Sequence, residues 1–178
     1  MDQLAAGSRT EATVYLVGGA TAVLHAWRDT TIDIDIRVEP DTATGILGDR
    51  IATLKLDLEV SVEFASPLDY LPELPGWRDR SPFVQQNGSI TFRHLDFYSQ
   101  ALAKVLRDVD HDPDDVAAMV SAGLVEPARA WELFHAVRSG FSRFPSIDEP
   151  SFRRRMTQAF GREPAGSKAE TSRDEPRT

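Results

Sequence analysis

The sequence predicts an α+β fold in which a β-sheet flanked by helices gives way to a helical C-terminal half. Two observations carry this. Before His94, apolar residues switch repeatedly between the two-residue period of a strand and the three- to four-residue period of a helix. Beyond His94 only the helical period remains, broken by Asp/Pro, Gly123 and Phe144-Pro145. The boundaries that follow are a core over 1–95, a helical subdomain over 96–160, and a polar tail over 161–178. That tail lacks aromatic and aliphatic anchors and is expected to be disordered.

Taken in order, Thr13 to Val17 (TVYLV) is a short β-branched and aromatic run that ends at Gly18-Gly19, as a buried strand entering a turn does. Ala20, Val23, Leu24 and Trp27 then share one helical face, predicting a helix from Ala20 to Trp27. Between Thr31 and Val38 strict alternation puts Ile32, Ile34, Ile36 and Val38 on one side of a strand. Asp33, Asp35 and Arg37 fall on the other. A second helix runs from beyond Pro40 to about Leu58, and Val60 to Phe64 (VSVEF) reads as a third strand with Glu63 facing away from its apolar side. After the proline-rich segment Pro67 to Trp77, Asn87-Gly88 predicts a tight type I′ turn between two short strands. Helices are then expected over Asp96–Val109, Pro113–Ala122, Glu126–Ser139 and Asp148–Phe160.

The 178 residues carry a net charge of −8, which argues against a broad nucleic-acid surface, since such binding rests on many Lys/Arg contacts to phosphate. No apolar run suits a membrane span or a signal peptide, so no membrane partner and a cytoplasmic location are expected. The chain has no cysteine, which excludes thiolate metal sites and thiol nucleophiles. Any metal is therefore held by oxygen or imidazole, and a hard cation, Mg2+ or Mn2+, is the default.

The chemistry-bearing residues are the carboxylates of the strands. Asp33 and Asp35, two apart on one face, place their oxygens where they can share a divalent cation. Glu63 on another strand adds a third carboxylate, to bind metal or to accept a proton from an attacking hydroxyl. Gly18-Gly19 at a strand-to-helix junction lets the backbone approach a polyphosphate. Alone, a Gly-Gly pair or an Asp-x-Asp on a strand is commonly structural; their order along the chain is more specific.

In that order, VYLVGGATAVLHAWRDTTIDIDI resembles the signature segment of the DNA polymerase β-like nucleotidyltransferase superfamily. More narrowly it resembles the bacterial AbiEii-like branch, which includes toxins of toxin–antitoxin systems. VEFASPLDYLPELPGWRDR and LAKVLRDVDHDPDDV are similar to that branch's middle loop and its helical Lys…Asp-x-x-Asp element, so the resemblance spans roughly Val14 to Phe152. It implies a nucleotidyltransferase-fold mixed sheet and magnesium-dependent transfer of NMP from an NTP. It also implies Gly18, Gly19, Arg28, Thr31 and Lys104 as nucleotide-binding residues, Asp33 and Asp35 on metal, and Lys104 and Asp112 completing the catalytic site. An acceptor at the 3′ end of tRNA or on a protein hydroxyl, and a cognate antitoxin, follow from the same resemblance. Two departures stand out: Arg28 lies one position earlier than the pattern's arginine, and His111 occupies the arginine place before Asp112.

Other residues have ordinary readings. Without the resemblance Lys104 is a surface lysine, and Asp112, directly before Pro113, is a natural helix N-cap. Asp57 and Glu59 fall at a helix end and are weaker carboxylate candidates. The four histidines form no spaced ligand pair. Trp131, Leu133, Phe134, Val137 and Phe141 read as core rather than as a base-stacking platform, and Arg153-Arg154-Arg155 with Arg138 and Arg143 as a solvated face rather than an RNA grip. The alternative to an enzyme is a catalytically weak protein of the same fold acting as a partner-binding or antitoxin-like module. A weaker third reading makes Asp-x-Asp a glycosyltransferase metal site.

Overall fold

The computed structural model describes residues 1–31, 33–58 and 60–165, with Leu58 described in its backbone only. Ile32 of the expected strand, the candidate Glu59 and positions 166–178 of the expected tail lie outside the described residues.

Five strands, β1 (Ala12–Val17), β2 (Asp33–Glu39), β3 (Ser61–Phe64), β4 (Phe83–Asn87) and β5 (Ile90–His94), form one sheet in the order β3-β2-β1-β5-β4. The sheet is mixed: β1 runs antiparallel to β2 and parallel to β5, β2 runs parallel to β3, and β4 and β5 form an antiparallel hairpin. Helices α1 (Asp2–Ala5), α2 (Gly19–Leu24), α3 (Asp41–Leu58) and α4 (Trp77–Arg80) accompany it. Then come α5 (Phe97–Arg107), α6 (Asp112–Ser121), α7 (Pro127–Val137) and α8 (Glu149–Phe160). The predicted α+β architecture with a helical C-terminal half is the one observed.

The sheet has a core on each face, as the alternation in its strands requires. Val14, Leu16, Ile36, Val38, Ile90 and Phe92 point to one face and pack with Leu4, Ala20, Ala43, Leu47 and Ile51 of α1, α2 and α3. Tyr15 and Val17 point to the other, where Leu68, Leu71, Leu74, Trp77 and Leu95 join them to α5, α6, α7 and α8. Phe134 is central here, in edge-to-face contact with Trp131, Phe141 and Phe152. The C-terminal aromatics are therefore buried core, with no free stacking face.

Three local expectations need correction. The helix expected to reach Trp27 stops at Leu24 because Ala26 turns left-handed (φ 61°), with Trp27 N–H bonding to Ala22 O and Ala26 N–H to Val23 O. This is a Schellman end with alanine in the place normally taken by glycine. The hairpin turn is Gly88-Ser89 rather than Asn87-Gly88, since Asn87 still pairs with Ile90. Only Gly88 of the two has positive φ, the pattern of a II′ turn with glycine first, and not I′. Phe64, expected on the apolar side, lies exposed at the sheet edge and only skirts Gly48 of α3.

Asp96 caps α5 by accepting from Ser99 N–H, and the Arg80 guanidinium grips the same carboxylate through Nε (3.0 Å) and Nη2 (2.9 Å). This ties the start of α5, whose last turn carries Lys104 and Arg107, to α4. Part of the predicted tail is also anchored: Trp131 Nε1 donates to Gly161 O at 3.3 Å, and Glu163 pairs with Arg153. Among the described residues no helix is long and apolar enough to cross a membrane.

Candidate active site

Asp33 and Asp35 lie two apart on β2 and share a face, and the pairing register sets Glu63 of β3 directly beside Asp35. The same face carries Val17, Tyr15 and the helical half, so the carboxylates stand at the uncovered end of a face otherwise packed with helices. Asp33 and Glu63 are exposed and Asp35 is half-buried. Burial, then the charges of Glu63 and Asp33, push the Asp35 carboxyl above its ordinary range, while Arg107 and Lys104 pull the other way. Those two cations of α5 thus face the carboxylates from the helical side.

Behind Asp35 is Gly18. Its backbone (φ 58°, ψ −122°) is open essentially only to glycine, and a β-carbon there would stand 3.2 Å from Asp35 Oδ2. Gly19 is required for another reason: a β-carbon would fall 2.1 Å from Thr31 Oγ1, whose hydroxyl donates to Asp33 O. Thr31 therefore clasps the start of β2 against Gly19. The expectation that the backbone of this turn meets a polyphosphate needs correction in part. Gly18 N–H already donates to Gln100 Oε1 at 2.8 Å, and α2, with only six residues, has a short dipole.

The opposite wall is a chain of ion pairs. Lys104 Nζ donates to Asp112 Oδ1 (2.9 Å) and to Asp115 Oδ2 (2.6 Å). Arg107 forks onto Asp112 through Nε (2.8 Å) and Nη2 (2.7 Å). Arg28 forks onto Asp115 through Nε (2.8 Å) and Nη2 (2.6 Å), and Trp27 Nε1 reaches Asp115 Oδ1 at 3.2 Å. Asp112 is the first residue of α6 and does not cap it; its carboxylate serves Lys104 and Arg107 instead, a correction to the expected N-cap. Burial alone would raise the Asp112 carboxyl, but the hydrogen bonds from Arg107 and Lys104 prevail and hold it below the usual carboxylate range.

The structure thus brings Gly18, Gly19, Thr31, Asp33, Asp35 and Glu63 together, and Lys104 and Asp112 into the facing cluster. Arg28, expected on a nucleotide, sits on Asp115. His111 is exposed near Asp114 and takes no part. Residue-by-residue reading of the sequence gave no role to Arg107, Gln100 or Trp27, and left Asp115 as one letter of a motif. A signal for the first existed: Lys104 with Arg107, and Asp112 with Asp115, are both spaced i,i+3 and so share helix faces. Arg153 and Arg155 of the expected basic face are occupied, the first by Glu163 and the second by Leu106 O and Asp108.

Two carboxylates abreast of a third, opposed by guanidinium and ammonium groups, form a surface suited to a cation and a polyphosphate together. Residues 1–139 match the model of the family described as "Nucleotidyltransferase of unknown function (DUF6036)". The chain belongs to this family. That membership agrees with the superfamily named from the sequence and implies a nucleotide substrate, without distinguishing the AbiEii-like branch. No curated protein and no solved structure matches the chain. For this nucleotidyltransferase-family chain the donor set available to a metal consists of carboxylate oxygens. Among the described residues no three His, Asp or Glu side chains group closely enough to hold an ion by themselves. Magnesium tolerates that, since it commonly takes one or two carboxylates and fills its shell with water and substrate phosphate. The excess negative charge around Asp35 fits such an ion.

Proposed function

We propose that this protein is a metal-dependent nucleotidyltransferase that moves NMP from an NTP to an acceptor hydroxyl. The observation that carries the reading is the shared face of Asp33 and Asp35, with Glu63 abreast of Asp35 and the Lys104–Arg107 cluster opposite. Asp33 and Asp35 would hold Mg2+ or Mn2+, which when bound neutralises charge on the α-phosphate and lowers the acceptor's pKa. Glu63, exposed beside them, takes the proton as the acceptor oxygen bonds to Pα and the bond from Pα to the departing pyrophosphate breaks. Thr31 and Gly19 fix the start of β2, so both aspartates approach the substrate from a rigid edge. The Asp112–Lys104–Asp115 array holds the cationic wall in place.

Transfer of label from α-labelled NTPs, offered with tRNA and with protein acceptors, tests this. Wild type is expected to transfer and Asp33→Asn to fail; transfer that survives Asp33→Asn sinks the mechanism. Within this reading the AbiEii-like toxin role, a tRNA 3′ acceptor and a cognate antitoxin are the finer proposals. Growth arrest on expression in bacteria that depends on Asp33 and Asp35, and is relieved by a neighbouring open reading frame, is their expected outcome.

A second reading, a catalytically weak module that binds a partner, is favoured by one specific observation. Gly18 N–H, Arg28 and Lys104, three groups assigned to phosphate, are all engaged within the chain. Calorimetry with magnesium and each NTP separates the two, because the module gives no nucleotide heat.

A further inference from the structure

We infer that Arg107, and not Lys104, is the residue of the helical wall that grips the polyphosphate of the nucleotide, an assignment that rests on the nucleotidyltransferase reading of the site.

The charges of the wall do not cancel. Lys104, Arg107 and Arg28 are three cations against two anions, Asp112 and Asp115, so the array is left with net positive charge facing Asp33, Asp35 and Glu63. Where that charge is available depends on exposure. Lys104 is 9% exposed, Asp112 3% and Asp115 2%, whereas the Arg107 side chain is 62% exposed. Lys104 uses two of its three protons on aspartates whose own surroundings are closed, and leaving them for a ligand would strand buried carboxylates. Arg28 is forked on Asp115 with both Nε and Nη2.

Arg107 differs from both. Nε and Nη2 hold Asp112, which fixes the plane of the guanidinium, and among the described residues Nη1 has no hydrogen-bond partner. A guanidinium fixed on one edge and open on the other is preorganised for phosphate oxygens. It stands in the last turn of α5, close enough to Asp35 for the two charges to act on each other, so a phosphate held by Arg107 is held beside the carboxylate strand. The substrate class is thus a compound carrying a di- or triphosphate; a monophosphate, which lacks the groups beyond Pα, gains little from it.

The test is equilibrium binding by calorimetry of each NTP, the matching NMPs and inorganic tripolyphosphate, with magnesium and again in EDTA, using the full chain. Arg107→Ala is expected to weaken triphosphate and tripolyphosphate binding by roughly tenfold to a hundredfold, and NMP binding by less than about threefold. Arg107→Lys, which keeps charge without the fork, is expected to recover part of the loss. The lysine variant also keeps the question open to test if the alanine variant misfolds, as read from its circular dichroism and melting. Equal losses for NMP and NTP, or none for either, overturn the assignment while leaving the enzyme reading intact. Tripolyphosphate binding that depends on Arg107, in a protein that binds no nucleotide, overturns the assignment together with the nucleotide reading. A wild type that binds neither overturns both.

Discussion

Lys104 Nζ stands 2.6 Å from Asp115 Oδ2, with both side chains out of water, and this bond joins α5 to α6 at the carboxylate that also holds the segment after α2. Asp115 receives Trp27 and Arg28 from that segment and Lys104 from α5, so one buried carboxylate connects three parts of the chain. Buried ion pairs contribute little net stability over apolar packing, yet removing one partner leaves the others uncompensated. Asp115→Ala is therefore expected to destabilise the fold by about 3–5 kcal/mol, measured as a shifted urea midpoint. A change under about 1 kcal/mol would mean that Lys104 and Arg28 find water without cost, and that the array is not a single unit.

Asp35 represents the opposite case, a carboxylate whose charge the folded state disfavours. Burial, Glu63 and Asp33 raise its pKa, so between the unfolded value and the raised folded one the native state binds more protons. Stability from this group is present at low pH and is lost as pH rises through that window. Asp35→Asn is expected to hold or raise stability at neutral pH by a few tenths to about 1 kcal/mol, while label transfer from NTP disappears. Thermal melts beside the transfer assay check both halves. A strongly destabilised Asp35→Asn would instead make the aspartate structural.

Ala26 ends α2 with φ 61°, a conformation that costs an L-residue roughly 1 kcal/mol and glycine almost nothing. Ala26→Gly is expected to raise stability by about 0.5–1 kcal/mol, partly offset by the greater freedom of glycine in the unfolded chain. The urea midpoint should rise without a change in the slope of the transition. Because Trp27 and Arg28 leave this turn directly for Asp115, the substitution also tests whether the turn's geometry, rather than its side chain, aims them.

What the sequence disclosed and what it hid divide along one physical line. Periodicity exposed the strands and the shared face of Asp33 and Asp35, because a two-residue repeat fixes orientation locally. It also brought Glu63 to the correct face, although the pairing that sets it beside Asp35 depends on a long crossover through α3. The left-handed Ala26 was illegible, since alanine carries no turn signal. Asn87-Gly88 misled by one residue because the pairing register, not the dipeptide, decides where a hairpin closes. Gly19 was singled out for a close approach to phosphate, whereas what demands glycine there is a collision with Thr31 that only the fold reveals. Arg107 was hidden for the same reason: its function depends on exposure and on which edge of the guanidinium Asp112 occupies, and neither is a property of sequence spacing.

His94 makes the fold sensitive to acid. It lies buried between α2 and the start of α5, its ring centroid 4.6 Å from that of His25 and 5.7 Å from that of Phe97. Thr21 Oγ1 donates to Leu16 O at 3.1 Å, so it accepts from His94 Nδ1–H at 3.1 Å, which sets the neutral tautomer. Burial first, and the neighbouring His25 second, lower the His94 pKa to about 4. Between pH 6.5 and about 4 the unfolded chain therefore holds more protons than the folded one, and stability falls as pH falls through that interval. Integrated over the interval this amounts to roughly 3 kcal/mol. His94→Asn keeps a donor for Thr21 and removes the titration, so its stability is expected to lose that acid dependence, with the midpoint at pH 5 falling much less below the midpoint at pH 7 than in wild type. Urea titrations across that range decide it: parallel profiles for the two proteins would place the acid sensitivity elsewhere, at Asp112 and its partners.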